Sequence, residues 1–262
     1  MDLPIGAPTK AYRQLVADLG ADQEAAGAVV TTHKVALFET SADLFVSRDR
    51  SVELFEEISC VTAGGRGLGA NTIDPASVAR TLSEMLPRPV DEASALVFGA
   101  GGAGTAVSAA LLTDRTSTWN VTLTDTVDSR LARAERIFSA LSVQDRATLV
   151  RAGGSEDNDD ALSKAPPGSF VVNGTGMGKD VPGSPLSGRV SFPKRTLVWD
   201  LNYRGELTFL DQARIQARDR GLRVEDGRRL FVHGWAEGLG QIFGREVAVE
   251  TLEESSSWSR DI

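Results

Sequence analysis

Gly99-Ala100-Gly101-Gly102-Ala103-Gly104 follows the apolar run Ser94-Ala95-Leu96-Val97-Phe98 and precedes a stretch of small residues, Thr105 to Leu112. The pattern predicts a buried strand, a tight turn, and a helix whose first N–H groups have no internal partner. That backbone arrangement holds a pyrophosphate. Gly99 permits the turn, Gly101 lets the backbone approach the phosphates, and Gly104 lets the helix pack against the strand. A second run, Trp119 to Asp125, ends in an acid close to the position where a carboxylate accepts both ribose hydroxyls. Asp125 in that role favours NAD over NADP, because it repels a 2′-phosphate, while the nearby Arg130 works the other way. The plainer readings are an ordinary strand–helix turn and a helix cap at Asp125. Strand, glycines, helix, strand and acid in register favour the dinucleotide site.

Those elements sit in a chain of 262 residues with net charge -8 and no basic block. Nucleic acid and anionic membrane are therefore poor partners. The lone cysteine, Cys60, excludes an intrachain disulfide and reads as a small buried apolar residue. No apolar run reaches the length of a membrane span and no signal-peptide pattern opens the chain, so a soluble cytoplasmic protein is expected.

Ahead of the glycine turn, helices are expected at Thr9–Leu19, Val35–Leu44 and Val52–Glu57, with a short strand at 27–31. A hairpin turns at Gly64-Gly65-Arg66-Gly67, and Asp74-Pro75 starts a helix, Ala76–Leu86, with an acid cap and proline in its first turn. Pro87-Arg88-Pro89-Val90-Asp91 reads as a boundary, and the end of the chain, 253–260, as a loosely held tail. After Asp125 come a helix at Ser129–Leu141 and strands at 148–150, 170–172 and 197–200. A helix at Thr208–Arg220, a strand at 222–225 and a helix at Arg229–Phe243 complete the chain. Alternation of this kind predicts α/β architecture with a doubly wound parallel sheet of the Rossmann type, plus a smaller α/β substrate domain. The expected division is 1–88 for the substrate domain, 89–228 for dinucleotide binding, and 229–262 for C-terminal helices returning to the first domain. Such a plan leaves a cleft for a second substrate.

Five stretches together resemble the shikimate/quinate dehydrogenase family. They are Gly27-Ala28-Val29-Val30-Thr31-Thr32-His33-Lys34, the glycine turn, Val172-Asn173-Gly174-Thr175-Gly176-Met177-Gly178, the segment from Val198 through Asp200 and Tyr203 to Thr208, and Asp226 to Trp235. The resemblance implies hydride transfer between a nicotinamide cofactor and a cyclic hydroxy or keto acid. Lys34 matches the family's catalytic lysine, and Asp74 its paired aspartate. Thr31 and Tyr203 match substrate contacts; Asn173, Thr175, Leu201 and Gly227 match the nicotinamide side of the cofactor site. A lysine beside the reacting hydroxyl, its pKa lowered by partial burial, can accept the alcohol proton or relay it, and a nearby carboxylate orients the ammonium and tunes it in the other direction. A helix start is a poor place for a cation, which favours a functional reason for Lys34 over a solvated one. Asp74 reads about equally well as a plain N-cap, and Tyr203 as a loop aromatic.

The chain departs from that family's pattern at several points. Thr32 stands where the family has proline, one residue separates Thr72 from Asp74, and the family's closing-helix glutamine falls at Gly234. The family's N-terminal Ser-x-Ser segment, which holds the substrate carboxylate, would lie before the point where this sequence starts, so either the start is truncated or the carboxylate is held differently. A divergent member is expected, and His233, with Trp235 and Glu237 one turn away, is a candidate replacement in the substrate pocket. The plainer reading there is a cap and a core tryptophan. Two histidines are too few to suggest a metal. The competing readings are a dehydrogenase of a different hydroxy acid and a non-catalytic NAD-binding protein; a methylenetetrahydrofolate dehydrogenase shares the plan and a lysine but nothing more. A small-molecule partner is expected, and a homodimer is left open.

Overall fold

The computed structural model describes residues 3–4, 6–86, 93–250 and 252. The boundary expected at 87–91, the tail at 253–260 and part of the opening segment lie outside the described residues. The chain divides into two compact units: residues up to Ser77 together with those from Val232 onward, and Val78–Phe231.

The first unit begins with α1 (Thr9–Ala21), β1 (Gly27–Val29) and α2 (Lys34–Ser41), the last extended by a 3₁₀ turn over Ala42–Leu44. β2 (Ser47–Arg48), α3 (Arg50–Phe55), β3 (Cys60–Gly64), β4 (Gly67–Asn71) and the start of α4 (Asp74–Met85) follow. β3 and β4 form the expected hairpin, closed through Gly64 and Gly67, and the sheet runs β1-β3-β4-β2. β2 is too short and polar to show in the sequence. Tyr12, Val16, Leu37, Val52, Ile58, Val61 and Leu68 form the core of this unit.

The second unit is built on β5 (Ala93–Phe98), α5 (Gly102–Leu112), β6 (Trp119–Asp125), α6 (Asp128–Ala140), β7 (Ala147–Arg151) and α7 (Ser155–Lys164). β8 (Phe170–Asn173), β9 (Leu197–Asp200), α8 (Thr208–Arg220) and β10 (Arg223–Glu225) complete it, before α9 (Arg228–Phe243). All six strands are parallel, in the order β10-β9-β8-β5-β6-β7. The order reverses between β5 and β8, the place where open α/β sheets bind ligands beyond their strand ends. Phe98, Phe192, Phe209, Val171 and Val198 are buried together in one core of this unit. α7 was not expected: its acidic first turn and few apolar residues hide the amphipathic signal, and Asn158 and Leu162 are its buried residues.

Candidate functional site

The second unit shows the glycine turn as the sequence predicts it. Gly99 adopts φ +94°, and a Cβ there would lie 2.8 Å from the Gly174 backbone. A Cβ on Gly104 would lie 1.9 Å from the Gly99 carbonyl oxygen. Both glycines are therefore required by the fold itself. Gly101 differs: a Cβ there would meet nothing within 4 Å. It caps α5 without any side-chain acceptor. Gly102 and Ala103, the first residues of α5, are half-buried, and a helix start of this kind has free N–H groups and favours negative charge. An open cradle with no capping side chain fits a pyrophosphate.

Asp125 does not stand as the sequence reading had it. Its Oδ2 accepts the Ala100 N–H at 2.7 Å and its Oδ1 accepts the Val127 N–H at 2.8 Å. Its side chain is 3% exposed. The carboxylate thus braces the glycine turn, and the side chain is too buried to present both oxygens to a ribose as expected. Arg133, buried on α6, holds the other side of the same residue by donating to the Ala100 carbonyl at 3.2 Å. The exposed charge nearby is Arg130, whose Nη1 lies 3.7 Å from Asp125 Oδ2 and whose side chain is 56% exposed. Arg133 was not read from the sequence. A cation in an otherwise apolar run of buried helix residues, Leu131, Ala134, Ile137 and Phe138, is the signal that would have found it.

Beyond the switch point, Asn173 ends β8 and accepts the Thr175 N–H and hydroxyl on Oδ1, at 3.1 and 2.7 Å. Leu201 follows β9 and donates its N–H to the Asn173 carbonyl at 3.0 Å. Gly227 donates to the Asn202 carbonyl at 2.9 Å, so close to Leu201 that a Cβ would sit 2.0 Å from the Leu201 carbonyl oxygen. The structure thus gathers Asn173, Thr175, Leu201 and Gly227 into one hydrogen-bonded patch. Tyr203 lies in the loop after β9, its ring 4.1 Å from that of Phe231.

The first unit holds the ionisable pair. Lys34 opens α2, and its Nζ lies 2.5 Å from Asp74 Oδ1, with the two side chains 16% and 9% exposed. Asp74 opens α4, so the extra residue after Thr72 does not keep it from the lysine. Asp74 Oδ2 is buried and has no hydrogen-bond partner among the described residues. Burial is the strongest single influence on Lys34 and would lower its pKa. The charges of Asp74 and Glu57 and the hydrogen bond Lys34 donates to Asp74 together outweigh it, so the pKa is raised. Of the two opposing influences expected, burial and a carboxylate partner, the acids prevail, and the ammonium form is favoured. Glu57, missed by the sequence reading, is 1% exposed. Its neighbour Ile58 donates its N–H to the Lys34 carbonyl at 3.0 Å, which ties this acid to the start of α2. An acid directly before the apolar run Ile58-Ser59-Cys60-Val61 was the available signal.

His33, between Thr32 and the lysine, is fixed by two contacts of 2.8 Å. Its Nε2 meets the Leu3 carbonyl, which can only accept, so in the neutral ring Nδ1 accepts from the Tyr12 hydroxyl. Thr31 is exposed just after β1. His233 is 3% exposed, and Glu237 accepts from Gln241 at 2.9 Å. Burial, with Glu237's charge adding, pushes the Cys60 thiol up to about 11, which suits the inert apolar role expected of it. No helix among the described residues is long and apolar enough to cross a membrane.

No family model matches the chain. A shikimate dehydrogenase (NADP(+)) of Salinibacter ruber is 34% identical over 204 residues, covering 77% of this chain and 68% of the relative. One from Brucella ovis, of the same name, is 27% identical over 243 residues, covering 91% and 76%. Among solved structures, quinate dehydrogenase from Corynebacterium glutamicum in complex with NAD superposes with a TM-score of 0.71 at 24% identity. That match covers 92% of this chain and 80% of the other, and it bears on the fold alone.

Proposed function

The chain belongs to the shikimate dehydrogenase family, and from that premise we propose how its residues divide the work of an NAD(P)-dependent oxidoreductase acting on a cyclic hydroxy or keto acid. The observation that carries this reading is the pairing of Lys34 with Asp74 in one unit and an uncapped glycine turn in the other. When bound, a pyridine nucleotide supplies the hydride chemistry. The α5 N-terminus and Gly101 receive its phosphates, and the Asn173–Thr175, Leu201 and Gly227 patch receives its nicotinamide end. Lys34, held as an ammonium by Asp74 and Glu57, donates a hydrogen bond to the reacting oxygen and gives that oxygen a proton as a ketone becomes an alcohol. A raised lysine pKa suits this direction, with Lys34 as general acid. In the reverse direction the Lys34–Asp74 pair takes the proton up. Asp74 Oδ2, buried and without a partner, accepts from a second substrate hydroxyl. Thr31 and Tyr203 are assigned to the substrate as well.

For the ribose end, the braced Asp125 leaves the field to Arg130. We assign the cofactor as NADP, with Arg130 facing the 2′-phosphate; the names of the curated relatives point the same way. The single cysteine, Cys60, supports a reducing, cytoplasmic location.

Titrating the protein with NADPH and with NADH by fluorescence tests the cofactor assignment. Tighter NADPH binding is expected. Tighter NADH binding would restore Asp125 as the selector and defeat the role given to Arg130. A spectrophotometric screen with NADP⁺ against shikimate, quinate and related acids tests the reaction. Nucleotide binding without turnover of any such acid would favour the non-catalytic alternative.

A further inference from the structure

Asp200, the last residue of β9, is fully buried, yet it sits among the loops assigned to the nicotinamide end. Its Oδ1 accepts the Asn173 Nδ2–H at 3.1 Å and the Asn202 N–H at 2.9 Å. Those two asparagines then fan outward. Asn173 holds Thr175, and both side-chain amides converge on the Met177 carbonyl, at 3.3 Å from Asn173 and 2.9 Å from Asn202. Asn202 also receives Gly227 through its carbonyl. Every residue assigned to the nicotinamide patch is therefore within a bond or two of one carboxyl group. The other oxygen, Oδ2, is buried and has no hydrogen-bond partner among the described residues. A carboxylate oxygen without a donor is costly in a packed interior. A residue that served packing alone would be apolar here.

We propose that Asp200 is a positioning residue of the cofactor site, joining the loop after β8 to the loop after β9 and making the order of both depend on its protonation. The inference rests on the reading of these loops as nucleotide-binding. β8 and the turn after β9 present only amides to Asp200, from Asn173 and Asn202, and the charge that bears on it comes from Asp226 in the turn after β10. Burial, above all, raises its pKa to about 6; the bonds from Asn202 and Asn173 oppose the rise, and Asp226 adds to it. The raised value fixes the sign. Opening the loops to water returns the group to an ordinary carboxylate, near 3.8. Closed loops are therefore most favoured below that value and lose stability as pH rises through about 6. The difference of the two values sets the change in opening at up to about a hundredfold.

The test is hydrogen exchange on the nucleotide-free protein, corrected for intrinsic rates, comparing the segment 173–178 with β6 as an internal reference. Protection of the loop should fall by up to about a hundredfold between pH 4 and pH 7 in the native protein, and hold level in Asp200→Asn. The asparagine keeps an acceptor for Asn173 and Asn202 but cannot ionise. NADPH titration supplies a second readout: affinity within about threefold of native for Asp200→Asn, and about tenfold weaker or worse for Asp200→Leu, which loses the acceptor. An identical pH course in native protein and Asp200→Asn, or native affinity in a folded Asp200→Leu, overturns the proposal. The exchange arm needs no ligand. A pH step in a protein that binds no nucleotide would therefore keep the hub and discard the cofactor reading, and with it Asp200's positioning role.

Discussion

The two units build their sites by different means. In the second, the glycine turn is a backbone device: its strand, turn and helix start are contiguous, and the acid that braces it, Asp125, follows on the next strand. In the first, the pair proposed to handle the proton is a side-chain device. Lys34 and Asp74 are 40 residues apart in sequence, and the third charge, Glu57, comes from between them. A backbone device depends on what cannot be added at each position. A charge device depends on which groups are left facing one another once water is removed. Substitution should therefore break the first by steric exclusion and retune the second by electrostatics.

The largest effect is expected at Gly104. A valine there places Cβ against the Gly99 carbonyl oxygen, 1.9 Å away, so the turn must move. A loss of about 1–3 kcal/mol or more in stability and no detectable NADPH binding are expected from melting curves and titration. Gly101→Val is the control within the same turn. Its Cβ enters open space, so melting should be unchanged while binding weakens by about tenfold or more, because the side chain fills the phosphate cradle. Equal destabilisation by both substitutions would contradict the division drawn between fold glycines and ligand glycine.

The charge device should yield a smaller, graded change. Glu57→Gln removes one of the two carboxylates that keep Lys34 protonated. The alkaline limb of the pH–rate profile should move to lower pH, with nucleotide affinity untouched. The stability that the raised Lys34 contributes is present below the ordinary lysine value of 10.5 and lost as pH rises through the folded value, so Glu57→Gln should also bring alkaline unfolding to lower pH. A profile that does not move would remove Glu57 from the site. Smallest is Arg130→Ala: an exposed guanidinium should cost NADPH about threefold to tenfold and leave NADH alone.

The same contrast explains what could be read from the sequence. The β5 turn, the limits of β6, β9 and α8, and the Asp74 helix start were legible, because local pattern determines each of them. The pairing of Lys34 with Asp74 came only through family resemblance, since nothing local places residues so distant side by side. The balance at that lysine could not be read: burial and one acid were counted as opposed, and the second acid, Glu57, was not seen. Asp125 was misjudged for a different reason. Its position was read correctly, but the backbone N–H groups that claim both its oxygens belong to Ala100 and Val127, and no sequence pattern shows that a carboxylate is already occupied. Asp200 went without a role because its partners are amides on two loops that meet only in the folded sheet.

The central claim is that one unit handles the proton and the other the nucleotide, and Lys34→Met tests it most directly. Turnover of a cyclic hydroxy acid with NADP⁺ should fall by about a hundredfold or more, the scale for removing a general acid or base, while NADPH affinity measured on the same sample stays at the native value. Native turnover in Lys34→Met, or a loss of affinity that matches the loss of turnover, would contradict that division.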